Sequence, residues 1–155
     1  MFPDPETTPG IPKLEIFNPS GYNLPLNQAL IPRLVHLIEI GEQIQFSSLE
    51  IIFTDEGGII DINSKYLDRD YITDIITFRY DEDHSNNAIE GSLYCCAPRI
   101  EEQSKELKTD TQEEFLRIIA HGLLHLAGYD DQAAEGKKRM TELEDHYLAK
   151  IIARL

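Results

Sequence analysis

The sequence predicts an α/β (α+β) fold: a single layered domain whose mixed sheet of about four strands packs with about five helices. A candidate metal site sits on a helix near the C-terminus. Three observations carry the prediction. Short runs rich in β-branched and aromatic residues interleave with segments of helical period. The segments follow one another as strand, helix, strand, helix, strand, strand and then helices alone. Near the end, "RIIAHGLLHLAGYDDQ", Arg117 to Gln132, places two histidines four apart on a helical pattern.

The elements follow in order. "KLEIFN", Lys13 to Asn18, alternates apolar and polar residues and predicts a strand. "ALIPRLVHLIEIGEQ" sets Leu30, Ile31, Leu34, Val35, Leu37 and Ile38 at helical spacing, with Pro32 tolerable in a first turn. "SSLEIIFTD" is the second strand. "DEGGIIDINSKYL" predicts a short helix capped by Asp55, against the helix-weakening Gly57 and Gly58. "TDIITFRY" is the third strand, "EDHSNNAIEG" a polar loop and "SLYCCA" the fourth strand. Pro98 opens a helix over "PRIEEQSKEL". Thr111 and Glu114 form a capping-box pattern before an apolar stripe through Phe115, Leu116, Ile118, Ile119, Leu123 and Leu124. That helix is expected to stop at Gly128. A last helix from Ala133 to Ile152 carries Met140, Leu143, Tyr147, Leu148 and Ile151 on one face.

Composition narrows the function classes. The 155 residues, 41% hydrophobic and 27% charged, suit one globular domain, read as 1–155. The net charge of −14 argues against a broad nucleic-acid-binding surface, which needs clustered Lys and Arg. A nucleic-acid role would require a local basic cleft, a metal or a partner that holds the substrate. No apolar run reaches the roughly 18 residues of a membrane span. "MFPDPETTPG" carries Asp4 and Glu6 and no apolar stretch of the signal-peptide kind, so residues 1–12 are expected to form a flexible N-terminal arm. The adjacent Cys95 and Cys96 make no disulfide framework; on a strand they point to opposite faces and are expected to be half-buried. A cytoplasmic location fits these features.

The chemistry concentrates at His121 and His125. Residues four apart stack on one helix face, so both imidazoles can reach one ion. The turn after Gly128 can return Tyr129, Asp130 or Asp131 over that face. A catalytic zinc takes three protein ligands and an open position, and His, His, Asp is an adequate set. Zinc peptidases of the HExxH kind place Glu directly after the first His; here Gly122 stands there. His36, His84 and His146 have no spacing partner and are expected to be structural or exposed.

"HGLLHLAGYDD", His121 to Asp131, resembles the signature of the YbeY endoribonuclease family, His-Gly-x-Leu-His-Leu-x-Gly-Tyr-Asp-His, and differs only at the last position. "NSKYLDRDYITDIITF" resembles the family's second block at Asn63, Tyr66, Asp70, Thr73, Asp74 and Phe78, and "EGSLYCC" occupies the place of its Gly-Asp-Ile strand. The resemblance implies a single-strand-specific, metal-dependent endoribonuclease in 16S rRNA 3′-end maturation, rRNA processing and ribosome quality control. Its implied partners are single-stranded rRNA, the small ribosomal subunit or a ribosomal protein, and an assembly GTPase. The implied metal ligands are His121, His125 and Asp131, with His121 also counted among the catalytic residues. One Zn2+ is expected, and Asp131 in place of the third His shifts preference toward harder ions such as Mn2+. Leu67 replaces the family Arg that assists the scissile phosphate; Arg69 and Arg79 are the candidates to take over. Ser92 replaces the family Asp. Asp130 and Asp74 are candidate bases beside a purely metal-driven reaction. Two other readings stand beside this one: a non-catalytic ribosome assembly factor with a structural metal, and another small zinc hydrolase.

Overall fold

The computed structural model describes residues 13–153. The expected N-terminal arm, 1–12, lies outside the described residues. Four strands, β1 (Leu14–Phe17), β2 (Phe46–Thr54), β3 (Ile75–Arg79) and β4 (Ile89–Cys96), form one sheet in the order β1-β2-β4-β3. β1 and β2 run parallel, as do β2 and β4, while β3 is antiparallel to β4. The helices are α1 (Leu30–Glu42), α2 (Glu56–Leu67), α3 (Ala97–Leu107), α4 (Thr111–Leu126) and α5 (Ala134–Ile152). The chain is thus the mixed α/β layer that its sequence predicts. No helix among the described residues is long and apolar enough to cross a membrane.

The alternation of β2 sends Leu49, Ile51 and Phe53 into the main core, where the apolar stripes of α1, α4 and α5 meet them. α4 is the central helix, packed on α1, α3, α5 and the β3–β4 edge of the sheet. α2 covers part of the opposite sheet face, around Ile59, Ile76 and Cys96. Asp55 caps α2 as expected: its carboxylate accepts from the Gly58 N–H at 2.8 Å. Glu39, buried near the end of α1, accepts from Phe46 N at 2.9 Å and pairs with Lys13, joining the helix to β1 and β2.

Three sequence expectations change. Cys95 and Cys96 do face opposite sides of β4, but both are fully buried, because helices cover both faces of this inner strand. Burial drives the Cys95 thiol far above its ordinary pKa, which leaves it inert. β4 begins at Ile89, inside the segment expected as loop, since Ile89 and Glu90 pair with β2. The cap of α4 is Asp110, one residue earlier than the box at Thr111: its carboxylate accepts from Glu113 N at 3.0 Å. Glu114, displaced from the box, turns into the core.

Candidate metal centre

α4 presents His121 and His125 on one face, four residues apart, just before its end. Gly128, at φ 109°, takes the left-handed turn that an L side chain resists and reverses the chain. Asp130 then accepts from Gln132 N at 3.0 Å, curling the turn back over the helix. The first turn of α5 closes on it. A Cβ at Gly136 would stand 2.2 Å from the Asp130 carbonyl oxygen, so only glycine permits this contact.

The turn delivers Asp131 to the two histidines. His121 Nε2 and His125 Nε2 lie 3.0 Å apart, and Asp131 Oδ2 lies 3.2 Å from the first and 3.5 Å from the second. Atoms at 2.0–2.1 Å from a tetrahedral ion stand about 3.3–3.4 Å from one another, so the triangle has the size of one face of such a shell. The opposite ring nitrogens fix the tautomers. His121 Nδ1 is 2.7 Å from Glu144 Oε2, and His125 Nδ1 is 2.9 Å from the Tyr129 carbonyl oxygen. Both partners only accept, so in the neutral rings both Nδ1 atoms carry the hydrogen. The two Nε2 lone pairs and a carboxylate oxygen then converge with no proton between them. That donor set fits a divalent cation, and all three side chains keep some solvent exposure, which leaves room for water or substrate.

In the ion-free protein, burial pulls the His121 pKa down, but the hydrogen bond and charge of Glu144, with Asp131 and Asp74, outweigh it and raise the pKa from its ordinary value. The surplus of negative charge is itself an attraction for a cation.

The family model for Endoribonuclease YbeY matches residues 24–152. The chain belongs to the YbeY endoribonuclease family. Two relatives named Endoribonuclease YbeY illustrate the match. That of Chlorobium luteolum is 37% identical over 126 residues, covering 81% of this chain and 90% of the relative. That of Amoebophilus asiaticus is 33% identical over 127 residues, covering 82% and 84%. The solution structure of a Thermotoga maritima protein superposes with a TM-score of 0.59 over 91% of this chain and 90% of that one, at 24% identity, a likeness of fold.

Against the YbeY pattern, the structure separates the two candidate arginines. Arg69 is exposed and lines a cleft of about 310 Å3 together with Leu67, Asn63, Thr77 and His125. Its backbone N–H donates to Asn63 O at 3.2 Å, while among the described residues its guanidinium has no ion-pair partner. Arg79 is occupied. Its guanidinium donates twice to Asp81 at 2.9 Å, to Leu126 O at 3.0 Å and to Ser85 O at 3.1 Å. It thereby ties the end of β3 to the end of α4, a structural task, and with it holds the Asp81 carboxyl well below the usual range. Asp74 accepts from Gln103 at 3.2 Å, and its backbone carbonyl accepts from Cys96 N. His36, His84 and His146 are exposed. Ser92 is buried on β4, 3.4 Å from Glu50.

Sequence reading missed Glu144 and Arg117. Arg117 donates to Glu144 Oε1 at 3.1 Å and to Asp145 at 2.6 Å, so both oxygens of Glu144 are held. The signal was present: Glu144 sits among Met140, Leu143, Tyr147 and Leu148, on the face of α5 that points inward. An acid on an apolar face needs a partner.

Proposed function

We propose that the chain is a metal-dependent endoribonuclease that cuts single-stranded RNA, acting in 16S rRNA 3′-end maturation and ribosome quality control in the cytoplasm. The observation that carries this reading is the convergence of three metal-ligating atoms from His121, His125 and Asp131 within a family whose relatives bear the name endoribonuclease. Zn2+ is the first expectation for the ion and Mn2+ the second, since two imidazoles and one carboxylate suit both. The chain, 1–155, would act as one catalytic domain.

When bound, the ion supplies Lewis acidity toward a phosphoryl oxygen and an attacking water. The chain supplies the rest. Glu144 and the Tyr129 carbonyl orient the two imidazoles. Arg69, in the cleft that reaches His125, takes the place of the family Arg and holds the scissile phosphate, a task the neighbouring Leu67 cannot perform. The bonds of Arg79 to Asp81, Ser85 and Leu126 favour a structural role for it over a catalytic one. The acidity of the whole chain, −14, makes a partner that presents the RNA part of the proposal: the small subunit, a ribosomal protein or an assembly GTPase.

Gly122 weighs against a peptidase. A Cβ there would lie 2.7 Å from Ile75 Cδ1 and 2.9 Å from Leu93 Cδ2, so this position backs onto the sheet and has no room for a catalytic Glu.

The test is metal analysis of the purified protein paired with cleavage of single-stranded and duplex RNA. Wild type is expected to carry a divalent ion and cut the single strand. Chelator and His121→Ala should abolish cutting, and Arg69→Ala should slow it while Arg79→Lys, if folded, should not. A stoichiometric ion with no cleavage of free or ribosome-bound RNA would turn the reading to an assembly factor.

A further inference from the structure

Along β3 a second cavity follows the cleft beside His125. It measures about 150 Å3 and is lined by Tyr66, Phe78, Tyr80 and Tyr94. The two cavities share a wall, the last turn of α2, where Leu67 borders one and Tyr66 the other. They also share β3: Ile75, Ile76 and Thr77 border the first, while Phe78 and Tyr80, the residue just past the strand, border the second. Thr77 and Phe78 are consecutive, so the linings of the two cavities meet along the strand within one residue rise of roughly 3.3 Å.

Phe78 and Tyr94 pack against the Ile59, Ile76 and Cys96 cluster, but core packing does not account for the two rings beyond them. Tyr66 is 59% exposed and Tyr80 53%. Phe78 forms the centre, edge-to-face with Tyr66 at 5.5 Å and with Tyr94 at 5.8 Å, and nearly parallel to Tyr80 at 6.4 Å. The volume matches the roughly 150 Å3 cavity known to admit benzene, a single six-membered ring. The charges around it discriminate further. Lys65 lies 5.3 Å from the centre of the Tyr66 ring and does not line the cavity. Glu50 accepts from Ser92 at 3.4 Å, and Ser92 stands two residues before Tyr94 on the same face of β4, so a carboxylate lies on this side of the sheet. Such a site repels a phosphate and accepts a neutral planar ring that carries N–H donors.

We infer that the Tyr66–Phe78–Tyr80–Tyr94 cavity, on the α2 face of the sheet, holds one unpaired pyrimidine base of the RNA, while the same strand passes round the β3 edge and places a phosphate at the His121–His125–Asp131 cluster. The inference rests on the nuclease reading. Stacked bases on aromatic side chains are the usual means by which proteins hold single strands, and a base within a duplex enters only at the cost of unstacking and unpairing. A site that grips a base rather than the backbone also suits a chain with so few cations.

The experiment uses the whole chain and a short oligouridylate. Binding is read in chelator by quenching of tyrosine fluorescence, which no tryptophan obscures, and by anisotropy of labelled RNA. Cleavage is read in metal. Tyr80→Ala and Tyr94→Leu are expected to weaken binding about tenfold each, the loss of one stacking contact, and to raise KM with kcat unchanged. Tyr80→Phe and Tyr94→Phe should restore both, because the ring face remains. Wild-type KM in both Tyr80→Ala and Tyr94→Leu, with RNA still cut, would overturn the base site alone. A proline-rich peptide that competes for these tyrosines while the oligonucleotide does not would also overturn it. A wild-type protein that neither binds nor cuts RNA would instead remove the nuclease reading beneath it.

Discussion

His121 Nδ1 lies 2.7 Å from Glu144 Oε2, on a different helix and 23 residues further along the chain. The contact orients the imidazole, fixes its tautomer and makes Nε2 more electron-rich toward an ion. Arg117 holds the other oxygen of the same carboxylate at 3.1 Å. Glu144→Gln keeps the size of the side chain and removes its charge. It is expected to weaken metal affinity about 10–100-fold, measured by competition with a chromophoric chelator. Wild-type affinity in this variant would show that His121 is oriented by something else.

The same contact shows where the sequence could and could not be read. His121 and His125 are legible because helical period alone places them on one face; the turn at Gly128 offers Tyr129, Asp130 or Asp131, and only the family resemblance singles out Asp131. Glu144 depends on α5 docking against α4, a relationship between distant segments. The elements behave likewise. Strand and helix runs follow local pattern, whereas the insertion of β4 between β2 and β3 depends on long-range pairing. The start of β4 was hidden because Gly91, poor in strand propensity, is there to let Leu126 of α4 approach. Arg69 and Arg79 look equivalent as sequence; only the bonds of Arg79 to Asp81, Ser85 and Leu126 separate them.

Gly136 is expected to govern the metal site without touching it. Its Cα packs on the Asp130 carbonyl, and the 2.2 Å contact of an added Cβ involves backbone, which no rotamer change relieves. Gly136→Ala should push away the turn that carries Asp131. Metal content after dialysis should fall well below that of wild type, while the far-ultraviolet circular dichroism stays helical. Full metal retention would mean that the turn adapts.

Gly122 is expected to tolerate almost nothing larger. In Gly122→Ala the new methyl meets the flexible ends of Ile75 and Leu93. Overpacking of about 1–3 kcal/mol then competes with a helix-propensity gain of about 1 kcal/mol, for a small net loss. Gly122→Glu adds a carboxylate against the sheet and should prevent stable folding. Urea midpoints check both. A folded Gly122→Glu protein with peptidase activity would contradict the assignment of this position to packing.

Glu114 gives a pH dependence of defined sign. It is buried on α4, and burial raises its pKa; Arg117 lowers it, while Asp74 and Glu144 raise it further. The folded value therefore lies above the unfolded one. The stability contributed by this carboxyl is fully present below the ordinary Glu value of about 4.3 and is lost as pH rises through the raised folded pKa. Glu114→Gln keeps the shape and cannot ionise. Its urea midpoint, measured in chelator to exclude metal linkage, should match wild type near pH 4, exceed it increasingly as pH rises through the folded pKa, and then hold a constant advantage. A variant less stable at neutral pH, or one whose advantage grows as pH falls, would mean that the ionised Glu114 is stabilised by Arg117 more than burial opposes it.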